Sequence, residues 1–130
     1  MTQSAENVTP YKLLGGDEAV RALVDDFYHL MDTLPEAQTI RKMHKGDLSE
    51  MSDKLATFLI GWMGGPQRYN ERFGRIIIPA AHKPFDIGQD ERDQWLLCMQ
   101  GAIDKSGLEA GMAKQVMTMF GHMADMCRTK

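Results

Sequence analysis

Residues 80–99 read AAHKPFDIGQDERDQWLLCM and pass from a proline-flanked loop into an amphipathic helix. His82 lies in the loop between Pro79 and Pro84, and the three isoleucines that precede it favour burial of the segment. Helical spacing then resumes and continues through Trp95. A buried imidazole requires a partner for its ring nitrogens, so the stretch predicts either a bound group at His82 or an ordinary solvated loop histidine.

Four long segments have apolar residues every three or four positions, which predicts amphipathic helices. The first follows Gly15-Gly16-Asp17 and has an inward stripe at Val20, Leu23, Val24, Phe27, Tyr28 and Met31. The second starts with a capping-box-like Asp47 to Glu50, and its stripe is Met51, Leu55, Phe58, Leu59 and Trp62. The third, after Gly88, has Trp95, Leu96, Met99, Ala102 and Ile103 inward. The fourth, from about Leu108, has Met112, Val116, Met119, Phe120, Met123 and Cys127 inward.

Shorter elements connect these helices. Pro35 opens a short helical segment that carries Ile40, Met43 and His44, and a Gly-Gly-Pro turn at residues 64–66 ends the second long helix. Residues 67–73 favour one or two helical turns, and the loop that follows has room for one more. No alternating strand pattern occurs, so the sequence predicts a single all-α domain of about five to seven helices.

The composition limits the class of protein. The chain of 130 residues, 43% of them hydrophobic and 25% charged, suits one globular domain. Its net charge of −3, without clusters of Lys or Arg, argues against a nucleic acid partner. The N-terminal MTQSAENVTPYK lacks a leader pattern and the apolar stretch 55–67 is too short for a bilayer, so we expect a cytoplasmic protein without a membrane partner. Cys98, expected one position off its helix's inward stripe, and Cys127 indicate two free structural thiols.

Common catalytic motifs do not occur. The sequence has no phosphate-binding loop, dinucleotide-binding glycine motif, HExxH, CxxC or GxSxG. No two of His29, His44, His82 and His122 lie within four residues of one another, so a local zinc motif is unsupported. Haem iron is one partner that takes a single neutral imidazole nitrogen, which makes His82 a candidate ligand. From spacing alone, Tyr28 and Trp95 are better explained as core residues.

Four stretches together resemble the truncated haemoglobins of the second group: DDFYHLM, LSEMSDKLATFLIGWMGGPQRY, AHKPFDIG and ERDQWLLCM. The similarity runs from about Leu14 to Met126 with the motifs in order. It implies residues 14–130 as a single globin domain after an N-terminal extension at residues 1–13. It also implies a truncated globin fold, a two-over-two helical sandwich around haem b (iron protoporphyrin IX), in which the segment after GGPQRY replaces the long helix that carries the iron ligand in full-length globins.

The resemblance assigns roles residue by residue. His82 matches the proximal iron ligand, Tyr28 and Trp95 match distal hydrogen-bond donors, and His44 falls at a variable distal position. Lys54 matches a residue that pairs with a haem propionate. The other haem-binding positions that it implies are Met51, Leu55, Phe58, Leu59, Tyr69, Arg72, Phe85, Ile87 and Met99.

The sequence also departs from the family pattern. Ala81 occupies a position where many members have arginine, which leaves propionate contacts on that side to Arg72, Arg75, Tyr69 or Lys83. Met51 is bulkier than the small residue expected there, and it would narrow ligand access.

The resemblance implies a protein that reversibly binds dioxygen, carbon monoxide, nitric oxide or peroxide. Several distal donors predict slow release, because each hydrogen bond must break first, and this argues against simple oxygen delivery. An alternative is a redox enzyme, a peroxidase or nitric oxide dioxygenase that works with an unidentified reductase. A further alternative is a second protein ligand, His44 or Tyr28, at the resting iron. A haem-free interaction module would be indicated by loss of His82, which is present.

Overall fold

The computed structural model describes residues 9–44 and 48–130, and in this part of the chain all regular elements are helical. In chain order they are α1 (Pro10–Leu14), α2 (Asp17–Thr33), a 3₁₀ turn (Pro35–Ala37), α3 (Gln38–Met43), α4 (Leu48–Trp62), α5 (Arg68–Phe73), α6 (Ile78–His82), α7 (Gln89–Lys105) and α8 (Ala110–Met126). The all-α prediction is confirmed. The predicted number of helices was too low, because α1 is too short to show a helical period.

The four long helices form a two-over-two sandwich. Helix α2 packs against α4, α7 packs against α8, and the contact between α2 and α7 joins the two pairs. The predicted stripe of α2 is confirmed at all six positions, each of which is buried. Phe27 and Phe120 are fully buried at the centre, where Trp62 stacks on Phe120 at a centroid distance of 4.7 Å. Burial of each such side chain contributes about 1.5–3 kcal/mol.

Helix α4 has two apolar faces, and the predicted stripe mixes them. Its fully buried residues are Ala56, Thr57, Leu59 and Ile60, of which only Leu59 was predicted. Met51, Leu55 and Phe58 are partly buried and border a cavity instead. The capping box predicted at Asp47 lies outside the described residues.

Two predicted orientations on the last helices are wrong. Met119 is 44% exposed, because α8 turns Val116, Phe120 and Ala124 toward the core. Cys98 is completely buried on α7, next to the fully buried Met99. Burial raises the pKa of the Cys98 thiol to about 11, which keeps it protonated and unreactive.

The Gly-Gly-Pro turn after α4 packs against α1. Gly64 has a φ of +99°, which favours glycine, and a Cβ on Gly65 would lie 2.7 Å from the carbonyl oxygen of Ile60. The backbone N–H of Tyr11 donates to the carbonyl of Met63 at 3.0 Å, and the Tyr11 hydroxyl donates to Asp17 at 2.6 Å. Helix α1 is therefore tied to both α4 and α2. The domain boundary expected at residue 14 stays a prediction.

No helix in the described ranges combines the length and the apolar character needed to cross a membrane.

Candidate functional site

A cavity of about 420 Å³ opens between α2, α3 and α4 on one side and α6, α7 and the end of α8 on the other. Its walls are mostly apolar, and they bring together most of the residues that the sequence assigned to a site. The predicted residues that line it are Tyr28, His44, Met51, Lys54, Leu55, Phe58, Tyr69, His82, Phe85, Ile87 and Trp95.

Three predicted residues lie behind or beside this wall. Leu59 and Met99 are fully buried in the core. Arg72 is exposed, and its guanidinium bonds the carboxylate of Asp53 at 3.0 Å and the hydroxyl of Thr57 at 3.2 Å. The Arg72 side chain is therefore already engaged by α4.

His82 is the last residue of α6, a single helical turn that begins with Ile78 and Pro79. Its Nδ1 lies 2.8 Å from the carbonyl oxygen of Ile78. A carbonyl oxygen only accepts, so Nδ1 carries a proton, and in the tautomer that this bond selects Nε2 has the lone pair. No described residue bonds Nε2, which leaves it available to a group in the cavity.

His44 has the same local arrangement as His82. It follows α3, and its Nδ1 lies 2.8 Å from the carbonyl oxygen of Ile40. Burial lowers the pKa of His44; the hydrogen bond to Ile40 opposes this effect, and the charges of Arg41 and His82 add to it. A neutral His44 therefore presents a second unprotonated Nε2 in the same cavity.

Tyr28 and Trp95 share one support, the buried ring of Phe27. The Tyr28 ring lies edge-on to Phe27 at 5.0 Å, and the Trp95 ring lies at 5.1 Å on the same residue. Burial raises the pKa of Tyr28 to about 12, so its hydroxyl remains a protonated donor near neutral pH. No residue in the described ranges accepts a hydrogen bond from the Tyr28 hydroxyl or the Trp95 indole. Both donors are free for a guest in the cavity.

Lys54 places a positive charge at the cavity rim. Its ammonium lies 5.3 Å from the centroid of Phe73, and the side chain lines the cavity. Tyr69 also lines the rim and packs against Phe58 and Phe73. Of the residues named for propionate contacts, Tyr69 and Lys54 line the cavity; Arg75 and Lys83 are exposed outside its wall.

This set of groups fits haem. The macrocycle is flat and apolar and carries anionic propionates at one edge, and the cavity offers apolar walls, the oriented imidazole nitrogens of His82 and His44, and a lysine at the rim. Within the described ranges, no group of three or more His, Cys, Asp or Glu side chains is placed to hold a bare metal ion. A metal carried by its own macrocycle needs no such cluster.

The family model for bacterial-like globins matches residues 9–129. The chain belongs to the bacterial-like globins. Among curated proteins, the group 2 truncated hemoglobin YjbI of Bacillus subtilis (strain 168) is 37% identical to this globin over 100 residues, which cover 77% of this chain and 73% of that protein. The expected membership of the second group of truncated haemoglobins is confirmed.

Solved structures agree with this assignment. The group II 2-on-2 hemoglobin of Agrobacterium tumefaciens has a TM-score of 0.90 at 40% identity, with 97% of this globin and 98% of that chain covered. The cold-adapted truncated hemoglobin of the Antarctic marine bacterium Pseudoalteromonas haloplanktis has a TM-score of 0.92 at 32% identity, with 95% and 99% covered. The two-over-two globin fold is confirmed, and membership of the family supports haem-based ligand binding in general.

The globin's cavity also has lining residues that the sequence did not assign to a site. They are Ile40, Met43, Ile76, Ile78, Ala81, Glu91, Arg92, Met123, Ala124 and Cys127. Met123 and Cys127 had been placed on the inward stripe of α8, which was a usable signal. The sequence contains no signal for Glu91 and Arg92 as cavity residues, because charged residues are common in the first turn of a helix. Here Glu91 accepts from the backbone N–H of Gly88 at 2.7 Å, and Arg92 pairs with Asp125 at 2.6 Å.

Proposed function

We propose that this globin holds haem b through His82 and reversibly binds dioxygen and other diatomic ligands, with slow release. The observation that carries the proposal is the Nε2 of His82, unpaired among the described residues, in one cavity with the free donors of Tyr28 and Trp95. When bound, haem supplies an iron atom at which diatomic gases bind. A cytoplasmic location also remains a prediction.

The hydrogen bond of His82 supports its proposed proximal role. The Ile78 carbonyl fixes the tautomer and the direction of the ring, and it raises the basicity of Nε2 as a metal ligand. Because Pro79 stands between the two residues in α6, the turn that holds this bond is stiff. Helix α6 thus presents an oriented nitrogen to the cavity.

The distal role belongs to Tyr28, Trp95 and His44. Dioxygen bound in the cavity would gain partial negative charge, which the phenol O–H of Tyr28 and the indole N–H of Trp95 would stabilise. The raised pKa of Tyr28 keeps its donor in place across the physiological range. Each hydrogen bond must break before the ligand leaves, and this is the source of the slow release.

Lys54 and Tyr69 are the proposed contacts for the propionates. Both line the cavity, whereas the guanidinium of Arg72 is held by Asp53 and Thr57. The ammonium of Lys54 supplies the positive charge that the missing arginine at Ala81 does not. Arg72 would then support the site indirectly, by holding Asp53 and α4 in place.

A second candidate function is peroxide reduction, and the state of His44 favours it. A neutral imidazole with Nδ1 bonded to Ile40 can accept a proton at Nε2 from a peroxide in the cavity. Tyr28 and Trp95 would donate to the peroxide oxygens at the same time. Turnover of this kind requires electrons from a reductase, and its loss in His44→Leu with ligand binding intact would separate it from simple binding. Nitric oxide oxidation by bound dioxygen would be tested by turnover with nitric oxide, set beside simple ligand binding.

The deciding experiment is a set of absorption spectra of ferric, reduced and carbon monoxide-treated protein, for wild type and His82→Gly. We expect a Soret band that shifts with carbon monoxide in wild type. In His82→Gly the band should collapse and return with added imidazole, while the exposed-site control His122→Gly should match wild type. A colourless wild type that cannot be reconstituted with haemin would refute the proposal.

The ferric spectra also settle the number of protein ligands. Low-spin bands that disappear in His44→Leu would show that His44 supplies a second nitrogen. A purely high-spin wild type at every pH would exclude this.

A further inference from the structure

The segment between His82 and α7 has little to hold it. Helix α6 contains no buried residue, and residues 83–88 have no helix or strand of their own. Phe85 is 44% exposed although its side chain lines the cavity. A segment that supplies both His82 and cavity wall nevertheless requires a defined position.

Hydrogen bonds from Thr129 and Lys130, which follow α8, hold this segment in position. Among the described residues, every hydrogen bond from residues 83–88 to a residue more than four positions away goes to Thr129 or Lys130. The Thr129 hydroxyl accepts from the backbone N–H of Ile87 at 2.8 Å and donates to the carbonyl oxygen of Phe85 at 2.7 Å. The backbone N–H of Thr129 donates to the Ile87 carbonyl at 2.7 Å. One residue thus replaces the pairing that a neighbouring strand would provide.

The partners of Thr129 are cavity residues. Phe85 and Ile87 line the cavity, and the Phe85 backbone N–H in turn donates to the carbonyl oxygen of His82 at 3.0 Å. Lys130 adds an ion pair with Asp86 at 3.0 Å, an exposed contact that contributes little alone. A hydrogen-bonded path therefore runs from the Thr129 hydroxyl through Phe85 to the residue proposed as the iron ligand.

We propose that Thr129 is a positioning residue for His82: its hydroxyl holds residues 85–87 and thereby sets the placement of the imidazole toward haem. This inference rests on the proposed function. It assigns Thr129 no contact with the haem or with its ligand. The role depends on the hydroxyl group, because the hydroxyl is both donor and acceptor, and a methyl in its place leaves two backbone groups without their partner.

The test compares Thr129→Val, Thr129→Ser and the control Thr118→Val in the haem-loaded protein. Thr118 also donates its hydroxyl to a carbonyl, that of Lys114 at 2.9 Å, but on an exposed face of α8 away from this cavity. We measure haem loss to an apomyoglobin acceptor and the iron–histidine stretching band of the reduced protein by resonance Raman spectroscopy. Thr129→Val should lose haem on the order of ten-fold faster and show a shifted or broadened band. Thr129→Ser and Thr118→Val should match wild type.

A measurement on wild type alone keeps the inference open to refutation if Thr129→Val fails to fold. In hydrogen exchange, the Ile87 amide should exchange more slowly than the Asp86 amide, which has no hydrogen-bond acceptor among the described residues. Equal exchange at the two amides would overturn the inference, as would a Thr129→Val protein with the haem loss and Raman band of wild type. A wild type that binds no haem would instead overturn the proposed function.

Discussion

Removal of the Tyr28 hydroxyl should accelerate dioxygen release without disturbing the fold. Tyr28 is 8% exposed and burial raises its pKa to about 12, so its O–H is a neutral donor in a buried position. A hydrogen bond to a charged acceptor contributes about 1.5–3 kcal/mol. At about 1.36 kcal/mol per factor of ten, Tyr28→Phe should raise the dissociation rate about ten- to hundred-fold. Trp95, which is more exposed, should lie nearer the lower end in Trp95→Phe.

The assay is stopped-flow displacement of dioxygen by carbon monoxide. Matched controls come from the same chain: Tyr11→Phe removes a phenol that bonds Asp17, and Trp62→Phe removes an indole that packs on Phe120, both outside the cavity. The controls should release dioxygen at the wild-type rate. Because Tyr28 and Trp95 would contact one ligand, the double variant should fall short of the sum of the single effects. A change of less than twofold in both single variants would refute the distal assignment.

Further substitutions test the fold and the cavity rim. Gly65→Ala should cost about 1–3 kcal/mol in thermal unfolding, because its Cβ would meet a backbone oxygen at 2.7 Å, whereas Gly121→Ala, with open space around it, should stabilise α8 by about 1 kcal/mol. Hydrogen bonds from two arginines lower the pKa of Asp53, so Asp53→Asn should lose up to about 1 kcal/mol at pH 7, and the difference from wild type should disappear as the pH falls through that lowered pKa. Lys54→Ala should lose haem about two- to five-fold faster, with Lys12→Ala as the control for an unrelated surface charge. Equal rates of haem loss in Lys54→Ala and wild type would refute the proposed contact between Lys54 and a propionate.

The long helices were predictable because one buried face leaves a regular trace. In α2, period and burial agree at every predicted position, since that helix is covered on one side by α4 and α7. The same reasoning mispredicted the buried face of α4, because one apolar face of this helix packs on the core and another lines the cavity. A sequence period cannot tell these two faces apart. The inward prediction for Met119 was wrong because methionine is a flexible side chain that occupies an exposed position at little cost in free energy.

The site depended on contacts that no period describes. Tyr28 and Trp95 were found through the family resemblance, and only the structure shows that both rest on Phe27. Thr129 gave no signal, because a polar residue after a helix is ordinary and its partners lie more than forty positions earlier. The engagement of Arg72 by Asp53 also joins separate helices. Such long-range pairing is a property of the assembled fold and not of any local stretch.

The absence of buried side chains in α6 would tie the amount of folded protein to the supply of the proposed haem. A turn of five residues does not persist in water by itself, so α6 has little stability of its own without a guest in the cavity. A molecule that binds only the folded state stabilises it by an amount that grows with its free concentration. When haem is scarce, more chains would open at this turn and be exposed to proteases. The level of this globin in a cell would then follow haem availability, without a dedicated regulator.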